Sequence, residues 1–444
     1  MTTIVAQEAK KRKHHLGVQL RLFEHSRYAG LSVFFETWRW WNGNSLFEGV
    51  PSKRGKDAEQ LALTYMCRGP VGAFTQTGIV ESIENDDLFE RYVPEKVKQY
   101  DLSRFLFWFG AQAPAFRLRV IAKLQDTAIT KCKPSGVFIV DDTILEKTGK
   151  KFSGLRKLYD HAKKKYVKGL SLVQLLYADD QKHYPLFEAI HGTRGRKPCP
   201  KRNRETSIGK HKIALRLIKQ AVACGIQPKA VLFDAWYAAT SFLKALRWLK
   251  LQFVCRYNGG WGLLINGRRI KASELTKQKR HYQYYRRLKA KAFCLTAELP
   301  YYGLVFVVVV KDRRRKPAVI ITSIMDADIV TIIELYRQRW TIETYFKEAR
   351  QRFGLDKFQH RSAAAIQAHL VLLSLSYILV MLLKLLAPSL QGQSFKYLAK
   401  YLFRITAIVV FNNTAIQIVT KYCQRIFQKI ILFFNDLDPL TSTA

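Results

Sequence analysis

An α/β fold with a β-rich insertion and helical flanks is what this 444-residue sequence predicts, and three observations carry the prediction. The continuous apolar run Val137-Phe138-Ile139-Val140 reads as a buried central strand. A second run, Ala230-Val231-Leu232-Phe233, is followed by helix-spaced residues and then by Gln252-Phe253-Val254-Cys255. Strand–helix–strand alternation of this kind makes a parallel pair. From 257 to 325 the texture becomes that of turns and short strands, and helix returns after it.

In chain order, residues 1–132 read as a helical N-terminal region. Leu102 to Phe109 is strongly apolar, and Pro51-Ser52-Lys53-Arg54-Gly55-Lys56 is a basic turn. Position and charge suit an accessory DNA-binding domain; a plain scaffold fits as well. Lys133-Pro134-Ser135-Gly136 opens the first part of the core, 133–256. The Val137–Val140 run ends in Asp141-Asp142-Thr143. Two acids at the tip of a buried strand are unfavourable unless they stay solvated or bind a cation. A basic stretch follows, from Lys147 to Lys168. Gly169–Ala178 and Tyr184–Ile190 are strand candidates, and turn chemistry explains the acids of the Asp179-Asp180-Gln181-Lys182 link between them. The loop from Arg194 to Arg204 is basic again. Helical spacing over 208–224 ends at Gly225, a usual place for a C-cap. Ala230–Phe233 ends in Asp234, and a helix over 241–250 leads to the strand at 252–255. Two strands thus each deliver an Asp to a carboxyl end, where open α/β sheets place their sites.

In the insertion, 257–325, Gly259-Gly260 and Asn266-Gly267 are turn signals. Leu304–Val310 and Ala318–Thr322 are strands around a cationic hairpin, Lys311–Lys316. The run Lys279 to Arg287 interleaves aromatics with cations, as nucleic-acid surfaces do and as a solvated β edge also can. Residues 326–390 form the second part of the core, with a helix begun by Asp326 or Asp328. Tyr336–Arg350 contains neither Gly nor Pro and predicts one unbroken helix. At about 100° per residue, Tyr336, Arg339, Glu343, Lys347 and Arg350 fall within an arc of roughly 80°. Leu335, Ile342 and Phe346 form the neighbouring, core-facing stripe. A solvated helix with Glu/Lys pairs at four-residue spacing is the ordinary alternative. Ala363–Leu383 is uncharged and long enough to span a bilayer, but Gln367 and His369 interrupt it, and a buried core helix is expected. Residues 391–444 have helical spacing at Phe395, Leu398, Tyr401, Leu402 and Ile405, which predicts a C-terminal helical region.

The charge balance is extreme: 74 Lys and Arg against 34 Asp and Glu, a formal net charge of +40. Such a surface attracts polyanions, nucleic acid first and an anionic membrane surface second. The 48% hydrophobic content excludes a disordered chain. Seven scattered cysteines with no C-x-x-C argue for free thiols in a reducing cytoplasm, against disulfides or a zinc knuckle. Lys10-Lys11-Arg12-Lys13-His14-His15 has no apolar core after it, so no secretory signal is read. A cytoplasmic, nucleoid-associated location with no membrane partner is expected.

The acids that remain are Asp141, Asp234 and Glu343, two at strand ends and one on a helix. Three carboxylates gathered from distant parts of an α/β domain are what a pair of hard divalent cations requires. Mg²⁺ prefers oxygen ligands, and two ions roughly 3.5–4 Å apart activate an attacking oxygen and stabilise a leaving one in phosphoryl transfer.

These residues resemble the DDE transposases of insertion sequences that carry the signature Y-x2-R-x3-E-x6-K. Tyr336, Arg339 and Glu343 match at full spacing, and Arg350 stands where the final Lys is usual. That departure keeps the charge and changes its shape. Lys347 looks like the second cation often found one turn after the Glu. Val140-Asp141-Asp142-Thr143 looks like the first-acid motif, with Asp141 or its neighbour Asp142 as the acid, and Leu232-Phe233-Asp234 looks like the second. The resemblance runs from 133 to 365. It implies an RNase H-like catalytic core and cut-and-paste transposition, in which water attacks a phosphodiester at the element end and the freed 3′-hydroxyl attacks target DNA. It further implies Asp141, Asp234 and Glu343 as catalytic acids and two Mg²⁺ (or Mn²⁺) held by them and by Asp142. Tyr336, Arg339, Lys347 and Arg350 are implied DNA contacts; Trp340 either stacks on a flipped base or packs in the core. The implied partners are the terminal inverted repeats and the target, both double-stranded DNA, bound by a homodimer on paired ends. A nuclease or resolvase with the same core, and a non-catalytic DNA-binding derivative, are the alternatives.

Overall fold

The computed structural model describes residues 23–51, 55–192, 209–260, 262–278, 282–311, 316–404, 406–411 and 416–419. The cluster Lys10–His15, the basic loop 194–204, the first three residues of the run 279–287 and the centre of the cationic hairpin, 312–315, lie outside these. The chain forms two compact units. The first comprises residues up to 113, 348–359 and 364 onward; the second comprises 114–347 and 360–363.

The first unit opens with a short strand, β1 (Phe23–Ser26), and the helices α1 (Leu31–Trp40), α2 (Ala58–Met66), α3 (Arg68–Val71), α4 (Gln76–Ile83), α5 (Asp87–Tyr92) and α6 (Gln99–Phe109). Side-chain caps start several of them: Asp57 accepts from the Gln60 N–H, Thr75 from Gly78 and Asp86 from Phe89. Each satisfies a donor that the first turn leaves unpaired.

The second unit begins at Pro114, within α7 (Ala113–Gln125). Its sheet contains β2 (Val137–Glu146), β3 (Arg156–Asp160), β4 (Lys165–Ala178) and β5 (His183–His191), then α8 (Lys210–Ala223), β6 (Ala230–Phe233), α9 (Thr240–Trp248) and β7 (Phe253–Arg256). β2, β6 and β7 lie parallel and adjacent. Residues 137–140 and 230–233 are fully buried, as their unbroken apolar runs require. Gly225 follows α8 with φ +79°, the left-handed conformation that closes a helix readily only at glycine. The hairpin at 179–182 is a turn held by Asp179, whose Oδ1 accepts the N–H groups of Gln181 and Lys182.

One expectation fails at β2. The strand does not stop at its acids but continues to Glu146, because β4 pairs antiparallel along its whole length, from Val137↔Ala178 to Glu146↔Gly169. Asp141 and Asp142 therefore lie mid-strand, where successive side chains point to opposite faces.

The insertion supplies β8 (Leu263–Ile265), β9 (Arg268–Ile270), α10 (Ala272–Leu275), β10 (Gln283–Tyr285), β11 (Ala290–Leu299), β12 (Gly303–Lys311) and β13 (Ala318–Thr322). It extends the core sheet rather than standing apart from it. β13 runs antiparallel to β7, with Ile321 opposite Cys255. The strand order is β3-β4-β2-β6-β7-β13-β12-β11-β8-β9, with β5 on β4 and β10 on β11.

Two helices follow, α11 (Ile329–Arg337) and α12 (Trp340–Arg352), where the sequence predicts one. Asp328 caps α11 through the Thr331 N–H, 3.0 Å. At the junction the N–H groups of Gln338, Arg339 and Thr341 each bond to the carbonyl three residues back, a tighter turn than the α-helix makes. The boundary between the two units falls within α12, after Lys347.

The first unit is completed by α13 (Ala363–Leu386), α14 (Phe395–Leu398), β14 (Ala407–Phe411) and β15 (Ile416–Val419). α13 is long and apolar enough to cross a membrane, yet 89% of its most apolar window is buried within the protein, which is the expected core helix. Of the region 391–444, predicted to be helical, the residues beyond 419 lie outside the described ones; among those described, helix is found at the start. Beyond α14, β14 pairs with β1 and β15, because a run such as Ala407–Phe411, rich in β-branched residues, suits a strand once an edge is available.

Candidate active site

The predicted acids converge unevenly. The parallel register of β2 and β6 ends at Ile139↔Leu232, and Asp141 and Asp234 each follow two residues later on adjacent strands. The pleat then separates Asp141 from Asp142. Asp141 Oδ2 takes an ion pair with Arg339 Nη1 at 3.1 Å, and its Oδ1 accepts the Asp142 N–H at 2.8 Å. Asp142 is held instead by Lys210 Nζ on α8, 2.5 Å away, and by the Tyr237 hydroxyl at 3.2 Å. Asp234 Oδ1 accepts the Trp236 N–H at 2.9 Å and so caps the short 3₁₀ turn after β6.

Glu343 lies in the first turn of α12, the end of a helix that favours a negative charge. Its Oε1 accepts a hydrogen bond from Arg339 Nη2. One guanidinium thus joins Asp141 and Glu343, residues 202 positions apart in the chain, and the junction between α11 and α12 aims it at both. Among the described residues no three Asp, Glu, His or Cys side chains form a ready coordination set. The expected direct meeting of three carboxylates is replaced by two acids joined through Arg339, with Asp234 beside the first.

Burial pushes the Asp141 carboxyl up to about 7; Arg339 and the Asp142 N–H oppose the rise, and the charges of Asp234 and Asp142 add to it. Burial likewise lifts the Tyr336 hydroxyl to about 12, against the pull of Arg339, and Asp234 contributes to the rise. The charge of Asp234 thus reaches both Asp141 and Tyr336. The Tyr237 hydroxyl is raised well above its ordinary value by burial and by the three acids Asp142, Asp141 and Asp234.

A transposase DDE domain model matches residues 133–379, more than half of the chain. The chain belongs to the DDE transposases. No curated protein matches it. The DDE transposase match begins within four residues of β2 and takes in both strand-borne acids, the insertion and the helix of Glu343. Its fold is the RNase H-like one: a large mixed sheet with flanking helices. Family membership makes DNA the substrate and transposition the general activity, with divalent metal ions the cofactors that DDE transposases use.

Beside Arg339 the transposase has a cleft of about 660 Å³, floored by apolar residues of β12, β13 and α11 and rimmed by Arg256, Lys316, Arg337, Tyr336 and Trp340. Trp340 is 58% exposed, which excludes the core-packing alternative. Lys347 is exposed on α12. Arg350 falls in the other compact unit. Several residues of this centre have no counterpart among the predicted ones. Lys210 and His211 at the start of α8 meet Trp236 and Tyr237 just after Asp234. His211 stacks on Trp236 at 4.5 Å, and Lys210 Nζ sits 5.2 Å from the Trp236 ring. The sequence signal was available: an aromatic pair directly after an acid that ends a buried strand.

Proposed function

We propose that this transposase moves an insertion sequence by a cut-and-paste route, hydrolysing phosphodiesters at the element ends and joining the freed 3′-ends to target DNA. The observation that carries this reading is the Asp141–Arg339–Glu343 link with Asp234 next to Asp141 on the neighbouring strand. On this reading Asp141, Asp234 and Glu343 are the catalytic acids.

The donor set fits hard divalent cations. It is all oxygen, and the carboxyl of Asp141 is raised by burial and by neighbouring acids, so a cation there would favour its charged form. Asp141, Asp234 and Glu343 would hold two Mg²⁺ or Mn²⁺ ions, with Asp142 in reserve on the opposite face. Such ions, when bound, supply Lewis acidity to the scissile phosphodiester and to the attacking oxygen.

The remaining roles belong to the chain itself. Arg339 has donors in a planar fork, and a DNA phosphate would compete with Asp141 and Glu343 for them. Tyr336 stays protonated across the physiological range and donates to a phosphate oxygen. Trp340 offers an exposed ring for stacking on a displaced base, and Lys347 adds a cation one turn beyond Glu343. The N-terminal region contributes further DNA contacts, and a homodimer holds the paired ends, in the cytoplasm at the nucleoid. The test is a cleavage and joining assay on duplexes bearing the two ends of the element, with Mg²⁺ or Mn²⁺. Asp234→Asn is expected to abolish cleavage and joining while melting like the parent. Unaltered cleavage by that variant would remove Asp234 from the mechanism, and cleavage without joined product in the parent would leave a nuclease.

A further inference from the structure

We propose that the two-stranded ribbon formed by β3 and the start of β4 is a preformed grip for the backbone of duplex DNA, several base pairs from the acids. This rests on the transposase reading and adds to it a contact surface outside the acid centre.

β2 ends its pairing at Glu146↔Gly169 and the Lys147 N–H adds one last bond to the Lys168 carbonyl, so residues 165–167 of β4 run on with only β3 alongside. Register places Lys157 directly opposite Lys168, and Tyr159 opposite Tyr166. Directly opposed residues share a face, as do positions two apart, so these four side chains line one side of the ribbon. All four are exposed. The other side carries Leu158 and the buried Val167, which fix the ribbon to the protein.

Like charges directly opposite each other destabilise a strand pair, and among the described residues neither Lys157 nor Lys168 has an acidic partner. Lys157 Nζ instead sits 5.1 Å from the Tyr166 ring, and the two tyrosines meet edge-on at 5.2 Å. The turn is pinned, since Asp160 Oδ1 accepts the N–H groups of Ala162 and Lys163 and Lys164 takes the left-handed φ of +51°. A rigid face with opposed, unneutralised cations beside aromatic rings is complementary to a polyanion. A two-stranded ribbon also has the width of the DNA major groove. Asp142 pairs with Val173, so Lys168 and Tyr166 lie five and seven residues along β4 from the acids. At about 3.4 Å per residue that is roughly 17–24 Å, the rise of about five to seven base pairs.

The test measures how the affinity of the full chain for a 40-base-pair duplex of arbitrary sequence depends on salt. Each phosphate contact adds about 0.9 to the slope of log affinity against log salt. Lys157→Gln with Lys168→Gln is expected to lower that slope by nearly two and to raise the melting temperature without DNA, because the opposed charges are gone. Tyr159→Ser with Tyr166→Ser is expected to weaken binding and leave the slope unchanged. A parent-like slope in the lysine variant, with a parent-like melt, would overturn the proposal and leave a solvated edge. A parent chain that fails to bind any duplex would overturn the transposase reading as well.

Discussion

Each compact unit contains a largely enclosed arginine, and the two differ in whom they serve. In the first unit Arg68 is 1% exposed, feels the charge of Asp356, and bonds to neutral acceptors: the Tyr65 hydroxyl at 2.6 Å, His369 Nδ1 at 2.8 Å, and the carbonyls of Phe74, Gly354 and Lys357. His369 accepts at Nδ1 and so donates from Nε2 to the Leu355 carbonyl, which fixes it as the neutral ring. The Tyr65–Arg68–His369 contact ties residues from the two ends of the chain, 301 and 304 positions apart. In the second unit Arg339 keeps 16% of its side chain exposed and bonds to two carboxylates beside an open cleft. The first arginine has both of its Nη groups absorbed by groups that have nowhere else to go. The second neutralises two acids that a cation could take over. A buried arginine among carbonyls is architecture; a half-open one among acids is a group that can change partners.

The largest effect expected from this contrast is on stability. Arg68→Met removes a donor from the Tyr65 hydroxyl and from the Phe74 and Lys357 carbonyls in the interior, and should cost about 3–5 kcal/mol. Chemical denaturation of the variant should show it. A loss below about 1 kcal/mol would mean that Arg68 is not the centre of that unit's polar core. Arg339→Gln should do the reverse. Melting should stay near that of the parent, while DNA cleavage falls on the order of 10²–10³-fold, the size usual for a lost transition-state donor. Full activity in that variant would make Arg339 only a counter-ion for the acids.

The same contrast explains what was legible in the sequence. The strands that carry Asp141 and Asp234 show as unbroken apolar runs, because burial on both faces leaves no room for alternation. The helix start showed as Asp326 or Asp328, of which Asp328 is the cap, and the Asp179 turn showed as a turn, since both depend on neighbours within three residues. What needed the fold was everything decided by distant partners. Nothing local in Tyr336–Arg350 predicts the break at Gln338–Arg339, which reorients Arg339 toward Asp141 on another strand. Nothing local extends β2 beyond its acids, because β4 does that. Asp141 and Asp142 could be told apart only once mid-strand alternation sent one toward Arg339 and the other toward Lys210. The insertion read correctly as strands, but its merger with the core sheet through β13 and β7 is a choice of edge that composition does not record.

A smaller effect separates the two arginines by pH. Asp141 is raised to about 7 in the folded protein from an ordinary value of 3.8. Between those values the folded state holds the extra proton, so stability falls as pH rises through that window, and above it the full penalty is present. A carboxyl held that far above its ordinary value loses about 4 kcal/mol at most, and solvent access to the side chain reduces this to roughly 2 kcal/mol. In chelator, Asp141→Asn should therefore stabilise the protein at about pH 8 and hardly at all at about pH 4. Mg²⁺ should raise the melting temperature of the parent at the higher pH and not that of the variant. Equal gains at both pH values would place the benefit in packing rather than charge.

The smallest effect belongs to Trp340, next to Arg339 in sequence and opposite to Arg68 in character. A ring more than half exposed contributes little to the fold, so Trp340→Ala should change stability by no more than about 0.5 kcal/mol. Its neighbours Tyr336, Arg337 and Arg256 line a cleft with an apolar floor, a setting in which a ring gains most by covering another flat group. Stacking of one base on an aromatic side chain contributes about 1–3 kcal/mol. The variant should therefore bind a duplex with an unpaired end roughly ten-fold more weakly, and a fully paired duplex as well as the parent does. Phe at the same position should restore most of the loss, because a flat ring suffices for stacking. Equal weakening on both duplexes would mean that Trp340 shapes the cleft rather than receiving a base.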